Sequence, residues 1–303
     1  MGSAIRTEGL TKCYGPTEAL VDLDLEVDEG EVFGYLGPNG AGKSTTIGLL
    51  LGFLRPTSGR AEIFGLDVRR DAEELHGRLA YVGTGASLWP SLTGAEALRF
   101  LANLHGSTDA AYRDELLERF QLDPSKKVRA YSDGNRQKVL LVAAFATRAD
   151  LLLFDEPTRG LDPLMELVFQ ECVREAHGRG QTVFLSSHIL SEVDAVCERV
   201  AMLRRGRLIE TGDLEVLRSL AAVRVEADLE GEVPAVADLP GVAHVAVDGR
   251  TLRCDVTGPI GPLLARLAPV GVTRLVTREP SLEELFMARY DDRDDDLREV
   301  GLR

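Results

Sequence analysis

From about residue 30 to 210, short apolar runs alternate with segments whose apolar positions recur every three or four residues. That alternation predicts an α/β fold with a largely parallel sheet. Glu31-Val-Phe-Gly-Tyr-Leu36, Leu151-Leu-Leu-Phe-Asp155 and Thr182-Val-Phe-Leu-Ser186 are continuous apolar runs, as expected of strands buried on both faces. Between the last two, Asp162 is placed to cap a helix and Pro163 to occupy its first turn, with Leu164, Leu167, Val168 and Cys172 at helical spacing. Cys172 then reads as a core residue. The stretch from about 90 to 150 lacks strand signals and predicts helices over Gly94–Leu104, Asp109–Phe120 and Ser132–Thr147. A helical subdomain spanning about 85–150 follows, set within a first domain of residues 1–218.

Beyond residue 218 the pattern changes. Val223, Val225, Ala227 and Leu229 alternate with polar residues, and Asp248-Gly249 between two apolar runs is a strong hairpin signal. Ile260–Ala268 predicts a helix, Thr273–Thr277 a strand, and Ser281-Leu-Glu-Glu284 is a capping box opening a last helix. The order reads βαββαβ, a small ferredoxin-like α+β domain over 219–290. Asp291-Asp-Arg-Asp-Asp-Asp296 lies in a tail, 291–303, that reads as solvated and disordered.

Composition narrows the function. At 303 residues and 44% apolar content, the chain can bury a substantial core. Its net charge of −14 argues against a nucleic-acid partner, since affinity for phosphate backbones comes from clustered Lys and Arg. Cys13, Cys172, Cys197 and Cys254 show no paired spacing, which fits a reducing compartment and no cysteine metal site. The longest apolar stretch, Val139–Thr147, falls well short of the roughly 20 residues a bilayer demands. Work at a membrane would need another chain to cross it.

Gly37-Pro38-Asn39-Gly40-Ala41-Gly42-Lys43-Ser44 is a phosphate-binding loop pattern between a predicted strand and a predicted helix. Its glycines let backbone N–H groups turn around an anion at a helix N-terminus. Lys43 is placed to reach the β- and γ-phosphates of a nucleotide and the Ser44 hydroxyl to meet Mg²⁺. Asp155 and Glu156 end a buried strand, the first suited to holding the metal through water and the second to polarising an attacking water. Ser132-Asp-Gly134 opens a helix, Gly160-Leu-Asp162 follows Glu156, and His188 follows a strand.

Taken in order, these motifs resemble the ATP-binding subunit of an ABC transporter, over residues 4 to about 215. The resemblance implies a P-loop NTPase of the ABC cassette type, a mixed and mostly parallel sheet with a helical subdomain. It gives Tyr14 the role of stacking on adenine, the other reading being a tyrosine on an apolar face. Gly37 to Ser44, followed by Thr45, match Walker A, and Leu151 to Glu156 match Walker B with its catalytic glutamate. Tyr131-Ser132-Asp133-Gly134-Asn135 stands at the signature, with Asp133 in place of a glycine. Gly160-Leu161-Asp162 matches the D-loop and His188 the switch histidine. Where the family usually has a glutamine that meets Mg²⁺, Leu79-Ala-Tyr-Val-Gly83-Thr84 offers Thr84. The run from Asp155 to Met165, with the C-terminal extension, looks most like drug- and antibiotic-resistance exporters of high-GC Gram-positive bacteria.

The resemblance implies ATP and Mg²⁺, hydrolysis through Glu156 and His188, and a second cassette, a homodimer partner, supplying Ser132 and Gly134 across the nucleotide. It also implies separate transmembrane permease subunits and a place on the cytoplasmic face of the membrane. Trp89, in Leu88-Trp-Pro90, reads either as a packing residue or as part of the groove that receives the membrane subunit. The alternative is a soluble ABC-type ATPase not coupled to transport. Against it stand the single cassette, the absence of long coiled-coil insertions and the acidic charge. A P-loop kinase or GTPase would need neither the Ser132 motif nor His188.

Overall fold

The computed structural model describes residues 2–83, 87–214, 216 and 222–278. The chain divides into two compact units, Met1–Thr211 and Gly212–Arg303, ahead of the 218/219 boundary expected from the sequence.

The first unit opens with strands the apolar runs did not announce. β1 (Ser3–Tyr14) and β2 (Thr17–Asp28) pair antiparallel. β4 (Ser58–Ile63) and β5 (Leu66–Asp67) complete a sheet in the order β2-β1-β4-β5. The continuous apolar runs form the second sheet. β3 (Val32–Leu36), β7 (Leu151–Asp155) and β8 (Thr182–Ser187) are buried at every position. With β6 (Leu79–Val82), β9 (Arg199–Arg204) and β10 (Arg207–Asp213) the order is β10-β9-β3-β8-β7-β6. The pairs of β3 with β8 and β9, and of β7 with β6 and β8, are parallel. Ile5, Leu23 and Leu25 of the first sheet share one core with Phe33, Tyr35 and Phe184 of the second and with Ile47 and Leu50 of α1 (Lys43–Leu50).

After α2 (Ala72–Arg78) come the helices of the subdomain: α3 (Gly94–His105), α4 (Ala110–Arg119) and α5 (Asp133–Ala146). Each begins where a side chain can satisfy an orphan N–H. Thr93 and Glu96 form a reciprocal capping box, Asp109 accepts from Tyr112 N–H, and Ser132 accepts from Asn135 N–H. Trp89 packs edge-on against Phe100, with ring centroids 4.7 Å apart, while staying half exposed.

α6 (Pro163–Gly178) starts as predicted, with Asp162 capping and Pro163 in the first turn, but buries a different face. Met165, Phe169, Cys172, Val173 and Ala176 face the core, whereas Leu164 and Leu167 are 57% and 55% exposed. The reason is Phe169, which joins Phe145 and Phe154 in a trio with centroids 5.3 to 5.9 Å apart. So large a ring sets the rotation of the helix over two leucines. Cys172 is in the core, and burial pushes its thiol up to about 12. α7 (Leu190–Asp194) is a single short helix after β8.

The second unit contains β11 (Val223–Leu229), β12 (Val242–Asp248), β13 (Thr251–Val256), α8 (Gly261–Leu267) and β14 (Val272–Arg278). All neighbours are antiparallel in the order β12-β13-β11-β14, the strand order of a ferredoxin-like sheet. The helix expected between the first two strands is absent, because residues 230–241 run as irregular chain and turns. Gly231, Pro234 and Pro240 divide that stretch too finely for a helix. Val236 still packs into the core from it. The hairpin falls where predicted, with Asp248 paired to Thr251 and Gly249 at φ 59°. The capping box at Ser281 and the acidic tail lie outside the described residues.

Val225, Ala227, Leu229, Leu252, Cys254 and Leu263 form this unit's own buried cluster. Leu252→Ala should cost about 2–5 kcal/mol, the range for emptying a buried leucine site. Calorimetry of the full chain should show a lowered transition for the second unit, while ATP turnover measured below that transition stays at the parental rate.

Candidate active site

β3 delivers the chain at Leu36 and α1 takes it up at Lys43, with the glycine-rich loop between. Gly42 caps α1 at φ 111°, and a Cβ there would stand 2.6 Å from the Ala19 carbonyl oxygen. Only glycine fits both demands. Gly37 and Ala41 are buried, whereas Pro38, Asn39 and Gly40 lie open to solvent. Lys43 is buried and its ammonium donates to Gly37 O at 2.5 Å and to Pro38 O at 3.4 Å. Burial lowers its pKa, and the nearby charges of Glu156 and Asp155 oppose that shift. Ser44 and Thr45 follow in the first turn, exposed and half-buried respectively.

The end of β7 comes to meet this loop. Asp155 is buried, accepts from the Ser44 hydroxyl at 2.9 Å and takes a second hydroxyl, from Ser186, at 2.5 Å. Glu156 leaves the strand at φ 51°, and its N–H donates to Ser186 O at 3.0 Å. Its carboxylate lies 3.9 Å from the Lys43 ammonium and 3.0 Å from His188 Nδ1. Five predicted residues, Lys43, Ser44, Asp155, Glu156 and His188, thus converge. Asn39, Ser44, Glu156, Thr158, His188 and Glu192 line a cleft of about 580 Å³, a size suited to a nucleotide-sized ligand.

Other predicted residues stand apart. Ser132 is exposed at the start of α5, and its hydroxyl caps that helix. Among the described residues, no hydrogen bond or ion pair joins Ser132 or Gly134 to the phosphate loop. Gly134 instead meets the loop after Glu156, where a Cβ would sit 2.2 Å from Gly160 O. Asp133, exposed on the same turn, pairs with Arg136 at 2.8 Å. Asp162 caps α6, accepting from Met165 N–H at 3.1 Å. Tyr14 ends β1 half exposed, with the Lys12 ammonium 4.9 Å from its ring centroid. Thr84 lies outside the described residues. Sequence reasoning missed Ser186, Thr158 and Glu192. The serine pair before His188 was a visible signal for the first, while nothing local marks the other two.

Comparison with known proteins identifies the family. The family profile described as ABC transporter matches residues 20–159. A daunorubicin resistance ATP-binding protein of Streptomyces coeruleorubidus is 38% identical, over 94% of this chain and 95% of its own length. This chain belongs to the ABC transporter ATP-binding family. A bacitracin transport ATP-binding protein of Enterococcus faecalis is 30% identical over 94% of the chain and 96% of its own length. These spans take in most of the second unit as well as the cassette. Among solved structures, the ATP-binding subunit of an ABC transporter aligns with TM-score 0.66 and 33% identity, covering 71% of this chain and 92% of that one. A dimeric post-hydrolysis state of an ATP-binding cassette bound to ADP and Pi aligns with TM-score 0.63 and 25% identity, covering 69% and 98%. The chain is an ATP-binding ABC ATPase, and the transport-coupled reading prevails over the uncoupled one. No helix among the described residues is long and apolar enough to cross a membrane.

Two substitutions test the phosphate loop and the contact of Gly134 with Gly160. Lys43→Ala should weaken ATP binding about 10- to 100-fold, the worth of charged hydrogen bonds of about 1.5–3 kcal/mol. Titration calorimetry showing parental affinity would remove Lys43 from the phosphate site. Gly134→Ala should lower the unfolding free energy by about 1–3 kcal/mol, as overpacking does. Denaturant unfolding at the parental midpoint would show that the Gly160 loop has room to yield.

Proposed function

We propose that this chain drives export of drugs or antibiotics, closing as a pair with a second copy of itself against separate membrane-spanning subunits at the cytoplasmic face. The observation that carries the reading is the Glu156 carboxylate, 3.0 Å from His188 and 3.9 Å from Lys43 at the mouth of the cleft. A carboxylate so placed can take a proton from a water attacking the γ-phosphate, while His188 holds its orientation. Lys43 would exchange its bonds to Gly37 O and Pro38 O for bonds to phosphate oxygens. The relatives named for daunorubicin resistance and bacitracin transport support the substrate class.

The adjacent Ser44 hydroxyl and Asp155 carboxylate suit Mg²⁺, which takes few protein ligands and fills its shell with water and substrate phosphates. Those two residues would hold it, with Thr84 a further donor offered by the sequence, and the ion would neutralise charge on the phosphates. No cluster of three or more His, Cys, Asp or Glu suited to a metal occurs among the described residues. Tyr14 would stack on the adenine. Ser132, exposed at a helix start, and Gly134, partly buried beside it, have no hydrogen bond to their own phosphate loop among the described residues. They suit the nucleotide of the second copy, where the α5 N-terminus would face the γ-phosphate. Asp162 would join them at that junction.

An apolar cleft lined by Phe53, Tyr81, Leu101, Leu104, Leu140 and Ala143 suits a short helix of the membrane subunit. Phe53 and Leu104 stand 67% and 69% exposed there.

Glu156→Gln should slow ATP hydrolysis by about 10² or more, the scale of a lost general base, and should elute as a dimer with ATP and Mg²⁺ on size exclusion. In cells expressing the membrane subunits, the parent should restore resistance to an exported drug and this variant should not. Turnover near the parental rate would remove Glu156 as the base, and resistance unaltered by the variant would separate the ATPase from export.

A further inference from the structure

Three polar side chains beside the cleft form a bridge between the segments that carry Glu156 and His188. Thr158, two positions after Glu156, donates its hydroxyl to Glu192 Oε1 at 2.5 Å. Ser187, immediately before His188, donates to Glu192 Oε2 at 2.5 Å. The Ser187 oxygen in turn accepts from Ile189 N–H at 2.9 Å, so the backbone on both sides of His188 is held. Thr158 and Ser187 are buried, and Glu192 projects from α7 to reach both. One carboxylate, accepting through each of its oxygens, joins the turn after β7 to the end of β8.

Holding a carboxylate there has a cost. Glu166, on the same cleft, has its carboxyl held above the usual range by burial and then by the charges of Glu192 and Asp162. Neither Thr158 nor Ser187 would need an anion to be satisfied, since hydroxyls bond readily to neutral oxygens. An anion adds strength and direction, because charge-assisted hydrogen bonds are about twice as strong as neutral ones. Close in sequence to the two anchored points stand Glu156 and His188, whose Oε1 and Nδ1 are 3.0 Å apart.

We propose that Glu192 is a positioning residue for ATP hydrolysis, clamping Thr158 and Ser187 so that Glu156 and His188 keep their mutual register. The inference rests on the assignment of Glu156 as the base. Among the described residues no hydrogen bond or ion pair joins Glu192 to the phosphate loop, so its loss acts on the chemical step more than on nucleotide capture. A purely structural residue would lower stability without separating these two.

The test is steady-state hydrolysis by the purified full chain with Mg²⁺ and ATP, with the melting temperature of each variant measured alongside. Glu192→Ala should lower kcat about tenfold or more while KM for ATP moves less than about threefold, the signature of an interaction that matters in the transition state. Glu192→Gln, which keeps one accepting oxygen, should fall between Ala and parent. Parental kcat in a folded Glu192→Ala overturns the proposal, as does a rise in KM that accounts for the whole loss. If Glu192→Ala does not fold, Thr158→Val removes one arm with little change of shape, and a parental kcat there overturns it equally. Should Glu156→Gln abolish turnover while Glu192→Ala leaves it intact, only the clamp fails. Should Glu156→Gln turn over at the parental rate, the assignment of the base fails and the clamp with it.

Discussion

Successive residues of a strand point to opposite faces, yet Asp155 and Glu156 both serve the phosphate loop. One reaches Ser44 and the other lies near Lys43. The conflict is resolved in the backbone. Glu156 turns into the left-handed region at φ 51°, a conformation that costs an L residue about 1–2 kcal/mol. Its N–H is held by Ser186 O, and its own carbonyl accepts from Arg159 N–H at 3.3 Å, so β8 and the next turn stabilise the bend. Everything beyond it inherits that direction. The turn brings Gly160 against Gly134, places Asp162 to cap α6, and sets Thr158 within reach of Glu192.

Much of this was legible in the sequence because it is local. The phosphate loop, the buried strands at 151–155 and 182–187, and the helices after Thr93, Asp109 and Ser132 announce themselves through apolar runs and capping side chains. The failures share a cause. β1 and β2 carry an alternating pattern broken by register shifts, so they lack the unbroken apolar signature of the central strands. The rotation of α6 is decided by rings contributed from α5 and β7. Thr158, Ser187 and Glu192 meet across segments whose spacing has no period. In the site, the residue types were readable and their distances were not.

The second unit shows how little is needed to specify a sheet. One face of β11 and β13 is apolar and forms its core. On the other, Glu226 meets Arg253 at 3.0 Å and Arg274 at 2.8 Å, and Asp255 meets Arg224 at 3.4 Å and His244 at 3.1 Å. Exposed ion pairs of this kind add little stability singly. Two of them, Glu226 with Arg253 and Arg224 with Asp255, are directly opposed across β11 and β13, and they penalise a shifted register, in which like charges would face each other. That pairing sets the register of β13 on β11, even though a proline-divided segment replaces the expected helix.

Lys43 donates through its ammonium to carbonyls of its own loop. Its ammonium has already left water, at the expense of conformational stability. Capturing a triphosphate is therefore an exchange of protein carbonyls for phosphate oxygens around a cation that is already dry. The lysine's part of the cost was met when the chain folded, so little of it is subtracted from affinity. Nucleotide that binds the folded chain alone becomes a component of its stability, shifting the native population by mass action.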